Sequence, residues 1–246
     1  MSIIDDISRR SREKILAAVA QGYHDPEIKS TPLPDPVCHV RLIHEGETAE
    51  EVAAYSEEQA QAAAHSGRKV DLLATFKSNV IANKFDLHEC TEKELMATIN
   101  GILKERHVQS LMYPRNLGLK VEKLQAPEKI CFDRSVDEAS MREQVFHTDA
   151  SIINCELGVA SHGVVMVCSS PEQPRLLSLA MPTCIMLLHK EKLVESLITG
   201  LHTMKANHET LPTNILYIAG PSRTSDIELI TVFGVHGPQQ VHLVLY

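Results

Sequence analysis

Apolar positions change their period several times along the chain, and each change marks an element. Between Ile4 and Ala20, residues Ile15, Leu16 and Val19 recur at helical spacing up to Gly22, which predicts an amphipathic first helix. His24 to Val37 (HDPEIKSTPLPDPV) carries four prolines and cannot be helical throughout. An extended arm is expected there, wrapping the core or a partner subunit. Thr48 to about His65 is rich in Ala, Glu and Gln and predicts a helix closed by HSGRK.

The pattern then alternates. DLLATFKSNVIANK predicts a helix and FDLHEC a short strand, while Thr91 with Glu94 forms a capping box that opens the helix EKELMATINGILKERH. VQSLMY predicts a strand, Pro114 to Asp133 an irregular or weakly extended stretch, and Ser135 with Glu138 a second capping box before ASMREQVF. ASIIN, GVVMVCS, TCIMLLH, NILYIA and QVHLVLY are apolar, β-branched runs of strand length, and KEKLVESLITGLHTMKA has helical spacing. Near-continuous apolar strands separated by helices indicate a mostly parallel open α/β sheet with helices on both faces. The division expected is an N-terminal helix and arm over residues 1–47 and a core over 48–246.

Composition narrows the function. The formal charge of −8 and the 4% aromatic content, with no Trp, work against phosphate-backbone affinity and base stacking, so no nucleic-acid partner is expected. No apolar run approaches the roughly 18 residues of a spanning helix, and MSIIDDISRRSREKILAAVAQG reads as neither signal nor transit peptide. The expectation is a cytoplasmic protein without a membrane partner. Six cysteines are scattered without a C-x-x-C pair, which argues against zinc and iron–sulfur ligation, and no metal site is assigned.

The chemistry concentrates between Ile215 and Pro238, ILYIAGPSRTSDIELITVFGVHGP. In an open α/β sheet ligands sit outside the carboxyl ends of strands, and GPSRT follows the predicted strand NILYIA. Gly220 allows a close backbone approach, Ser222 and Thr224 offer hydroxyls, and Arg223 can grip a carboxylate or phosphate through two parallel hydrogen bonds. That makes an anion-binding turn. A purely structural account is open beside it: Ser225, Asp226 and Glu228 suit the cap of a short helix ending between Phe233 and Gly234, and Arg223 can pair with one of those acids. His236, between Gly234 and Gly237, is the candidate general acid or base. Arg175, after SSPEQP, is a second candidate anion grip, with a solvated surface arginine as its alternative. Asp149, Glu156, Ser161 and His162 form a further constellation in HTDASIINCELGVASHG.

The same residues carry a resemblance. AGPSRTSDIELITVFGVHGPQQVHLVLY resembles the end of lactate utilization protein C and the wider LUD domain family, whose pattern is G-P-S-[KR]-T-[AS]-D-I-E followed by G-V-H-G-P and a final strand. SREKILAAV is similar to the family's first helix, DLLATFKSNVIANKFDLHEC to its helix-then-strand step, and Arg175 and Pro182 stand where the family has an Arg and a Leu-Pro pair. The resemblance implies a Rossmann-like sheet of the type shared by sugar-phosphate isomerases, coenzyme A transferases and formyltetrahydrofolate cyclo-ligases. The ligand-binding residues expected are Gly220, Ser222, Arg223, Thr224, Asp226, Glu228, Gly237 and Arg175. The chain departs from the family where A-E-T-G-T is replaced by Ala160-Ser161-His162-Gly163-Val164, and where a His is replaced by Ile185.

Two functions follow from the resemblance. One is a cluster-free accessory subunit that binds no cofactor of its own and acts beside iron–sulfur partners oxidising L-lactate to pyruvate. The other is an enzyme of the transferase or cyclo-ligase type acting on a phosphorylated or carboxylated small molecule. An anionic ligand and homo-oligomerisation both stay open.

Overall fold

A computed structural model of the protein describes residues 69–225 and 231–246. The predicted first helix, the proline-rich arm, the helix over 48–65 and the boundary at residue 47 lie outside the described residues, as do Asp226 and Glu228.

Asp71 opens the described fold by accepting the Ala74 N–H at 2.9 Å, which caps helix α1 (Leu72–Ala82). Strand β1 (Asp86–Glu89) follows, and then helix α2 (Leu95–Glu105). The Glu94 carboxylate accepts the Thr91 N–H at 3.0 Å, one half of the expected capping box. The Thr91 hydroxyl donates to the same carboxylate at 2.8 Å, so the reciprocal half is absent and the helix begins at Leu95. Strands β2 (Ser110–Tyr113) and β3 (Glu128–Cys131) come next. The latter is a full strand within a stretch expected to be irregular or weakly extended. Helix α3 (Glu138–Phe146) is capped by Asp137, which accepts the Ser140 N–H at 3.0 Å. Ser135 is not the cap: its own N–H is bound by Asp133 Oδ1 at 2.9 Å.

Six strands make a wholly parallel sheet in the order β1, β12 (Gln240–Leu245), β7 (Thr183–Leu188), β4 (Ala150–Asn154), β2 and β3. Its two faces are read off by alternation. Met112, Ile153, Met186 and Leu243 meet Phe76 and Val80 of α1 and Met141 and Val145 of α3. Leu111, Ile152, Ile185 and Val244 meet Leu95, Ile99, Ile102 and Leu103 of α2. Central β7 is buried at every position, because a strand covered on both faces has no polar side to show.

GVVMVCS and NILYIA do not join this sheet. They form strands β6 (Val164–Cys168) and β9 (Ile215–Ile218) of a second sheet, ordered β8 (Leu193–Val194), β5 (Leu157–Val159), β6, β9. Residues 160–163 alone join β5 to β6, too short a link for a parallel crossover, so the pair is antiparallel. Val165 and Val167 pack this sheet against the α1 face of the first. The helix expected over KEKLVESLITGLHTMKA starts late: β8 occupies Leu193–Val194, and the Ser196 hydroxyl caps helix α4 (Leu197–Asn207) by accepting the Thr199 N–H at 3.2 Å. Strands β10 (Arg223–Ser225) and β11 (Thr231–Phe233) pair antiparallel, so the helix expected after Ser225 does not run to Phe233; residues 226–230 lie outside the described residues.

Candidate functional site

Because the large sheet is parallel, all its strands begin along one edge and end along the other. The signature segment lies at the amino edge. Gly220 has φ +89° and packs on the carboxyl end of α1, where a Cβ would collide with the Asn83 carbonyl oxygen. The Ser222 N–H donates to Pro238 O at 2.9 Å, the Gly234 N–H donates to Ser222 O at 3.0 Å, and the Gln239 N–H donates to Pro182 O at 2.8 Å, just before β7. A Cβ on Gly237 would press on Ser222 at 3.2 Å. Arg223 donates back across its own turn to Ala219 O at 2.9 Å, Thr224 pairs with Val232, and His236 is exposed. The expectation that GPSRT leaves the carboxyl end of a strand of the parallel sheet is therefore corrected: β9 belongs to the second, mixed sheet and runs toward the amino edge of the parallel one.

The divergent Ala160–Gly163 turn is at that edge too. Asn79 donates its amide to Ala160 O at 2.8 Å and Ser161 O at 3.2 Å, and Asn83 donates to His162 O at 2.7 Å and Gly163 O at 2.9 Å. Two asparagines one helical turn apart thus fasten the turn to α1. Ser161 and His162 bond to each other at 2.8 Å. Asp149 is engaged elsewhere, accepting the N–H groups of Gln109 and Ser110 at 2.9 and 3.0 Å where β2 and β4 begin. Asp149 is thus committed to the start of β2 and β4, whereas His162 stands in the turn that Asn83 holds.

The carboxyl edge holds a cavity of about 920 Å³. The chain leaves β2 toward β3 on one side and leaves β4 toward β7 on the other, so neighbours β2 and β4 flank the point where the winding reverses. Such a point opens a crevice, because the onward connections diverge. Asn116, Arg134 and Asn154 line it from the parallel sheet, and Ser169, Arg175 and Asn214 from the other side. Gln173, 6% exposed, holds the rim: it accepts the Asn154 N–H and donates to Asn154 O, both at 2.9 Å. Asn154 in turn donates to Asn116 O at 3.0 Å.

The charges in this cavity are uncommitted. Among the described residues, neither the Arg134 nor the Arg175 guanidinium has an ion pair or hydrogen bond, while Glu156 is the one acidic lining residue. Ser169 Oγ and Asn214 Oδ1 are buried without a partner among the described residues, a desolvation cost that the fold carries. Of the residues singled out in the sequence, the cavity gathers Arg175 and Glu156. Gly220, Ser222, Arg223, Thr224, His236 and Gly237 stand together at the other edge. Asn116, Arg134 and Asn154 escaped the sequence reading, although each ends or follows a strand-length apolar run.

A second polar cluster crosses the α2 face of the sheet. His242, 1% exposed, accepts the Arg106 Nε–H at Nε2 (3.1 Å) and meets His88 Nε2 through Nδ1 at 3.1 Å. Arg106 also pairs with Asp86 at 3.1 Å. Burial holds the His242 imidazole down at about 4, with Arg106 and His88 pushing the same way against the attraction of Asp86. Burial lowers His88 as well.

An open α/β protein with a polar cavity at its winding reversal and a tightly fastened glycine-rich segment at the opposite edge is the class these features define. The chain belongs to the LUD domain family, which it matches over residues 73–246. It is 35% identical over 115 residues to the uncharacterized protein NMB1437 of Neisseria meningitidis, covering 46% of this chain and 48% of that protein; the match thus spans about half of that relative. It is 29% identical over 189 residues to YkgG of Escherichia coli, covering 72% and 80%. It is 27% identical over 179 residues to lactate utilization protein C of an Exiguobacterium species, covering 71% and 77%. A DUF162 family protein from Deinococcus radiodurans shares the fold, with a TM-score of 0.54 and 17% identity over 71% of this chain and 96% of that one.

Proposed function

We propose that the chain serves lactate utilization in the cytoplasm, as an accessory component without a cluster of its own that acts beside iron–sulfur partners oxidising L-lactate to pyruvate. Membership of the LUD domain family, with relatives bearing the name lactate utilization protein C, is the observation that carries this reading. The cysteines support the accessory part. Cys155 and Cys184 are core residues whose thiols burial pushes up, that of Cys184 to about 12, whereas cluster ligation takes thiolates. No helix among the described residues is long and apolar enough to cross a membrane.

Deleting the coding gene from its host and growing the strain on L-lactate as sole carbon source tests the pathway. Growth should fail and return when the full chain is supplied; normal growth of the deletion strain would refute it. Iron assayed in material retained by the tagged chain tests the partnership, which retained protein free of iron would refute.

The carboxyl-edge cavity favours a second reading, an enzyme with the coenzyme A transferase or cyclo-ligase type of fold that acts on a phosphorylated or carboxylated compound. The two guanidinium groups, unpaired among the described residues, are its support.

A further inference from the structure

The carboxyl-edge cavity has a neighbour at Arg134. That residue and Leu176 also line a second cavity of about 490 Å³, walled by Phe132, Val136, Met141, Val145 and Phe146 between α3 and the end of β3. The two hollows therefore share a wall and differ in chemistry. One presents Arg134 and Arg175. The other is largely apolar. Its charged members are mostly engaged: Asp133 is paired with Arg115 at 2.9 Å, and the Arg142 guanidinium lies 5.7 Å from the centre of the Phe146 ring. Phe146 is 61% exposed and Leu176 42%, an apolar cost the free chain bears along this groove.

We infer that the two cavities form one bipartite site for an amphipathic small anion, with a carboxylate or phosphate head held by Arg134 and Arg175 and an apolar extension lying in the groove of α3. The inference rests on the second reading above and adds the ligand's shape to it. Two observations carry it: charge complementarity from two arginines that are unpaired among the described residues, and adjacency of the groove to the charged cavity at Arg134 and Leu176. Glu156, the one acidic lining residue, offers an acceptor to a ligand hydroxyl.

The test is calorimetric titration of the full chain at low salt with methyl phosphate, hexyl phosphate, acetate, hexanoate and hexan-1-ol. Burying a methylene improves affinity by about fourfold, so hexyl phosphate should bind about thirtyfold more tightly than methyl phosphate if half of its five added methylenes are covered. Whichever of the phosphate and carboxylate pairs binds more tightly identifies the head. Arg134→Gln and Arg175→Gln, both at exposed positions, should each weaken both members of that pair about tenfold or more. Phe146→Ala should reduce the chain-length dependence, because one wall of the groove is removed. Equal affinity for the short and long anions would overturn the bipartite site while the anion reading stands. Equal affinity for hexan-1-ol and hexyl phosphate would overturn the arginine grip. Binding of none of the probes would overturn both.

Discussion

His242 permits a prediction about acid. In the folded chain its Nε2 accepts a hydrogen bond from Arg106, so a proton placed there would break that bond and set two cations together in a site that is 1% exposed. The folded imidazole therefore titrates at about 4, against 6.5 when unfolded. Between these values the unfolded chain binds the additional proton, so the stabilisation is present in full above pH 6.5 and is lost as pH falls through 4. Each unit of separation is worth about 1.4 kcal/mol, which gives a loss of about 2 kcal/mol at pH 5 and about 3 kcal/mol at pH 4. Urea unfolding from pH 7 to pH 4 on the native chain and on His242→Gln would measure it. Gln can still accept from Arg106 but does not titrate, and carboxylates such as Asp133 and Asp137, lowered by local hydrogen bonds, contribute equally to both proteins. The native chain should lose about 3 kcal/mol more than the variant across this range. Parallel stability profiles would refute the reasoning, as would an imidazole resonance titrating near 6.5.

Two further outcomes are expected. Gly220→Ala should destabilise the chain by about 2 kcal/mol or more, because a positive φ and a collision with the Asn83 carbonyl act together; equilibrium denaturation would show it, and an unchanged midpoint would mean the turn is not fastened to α1 as described. Iodoacetamide at pH 8 should leave Cys155 and Cys184 unmodified in the native chain and alkylate both in urea, since burial both shields these thiols and keeps them protonated; peptide mass spectrometry reads the result, and rapid native labelling at Cys184 would contradict the core placement.

What the sequence determined by itself were the quantities that local pattern encodes. TCIMLLH and QVHLVLY are apolar at successive positions, and only a strand buried on both faces tolerates that, so their place in a parallel sheet was legible. The α1 and α2 helices were legible from apolar period and caps, and the family from the spacing of GPSRTSDIE and GVHGP. Which sheet GVVMVCS and NILYIA would join was not, because an apolar run has the same appearance in either sheet; the four-residue link after Val159 was the one local sign of an antiparallel partner. The edge to which the glycine-rich segment belongs followed from that choice. Only the tertiary structure could bring Arg134 to Arg175 across 41 positions of chain, since the crevice they share exists only where the winding of the parallel sheet reverses. Local sequence encodes which face a residue presents, whereas the reversal is a property of strand order, set by long-range pairing.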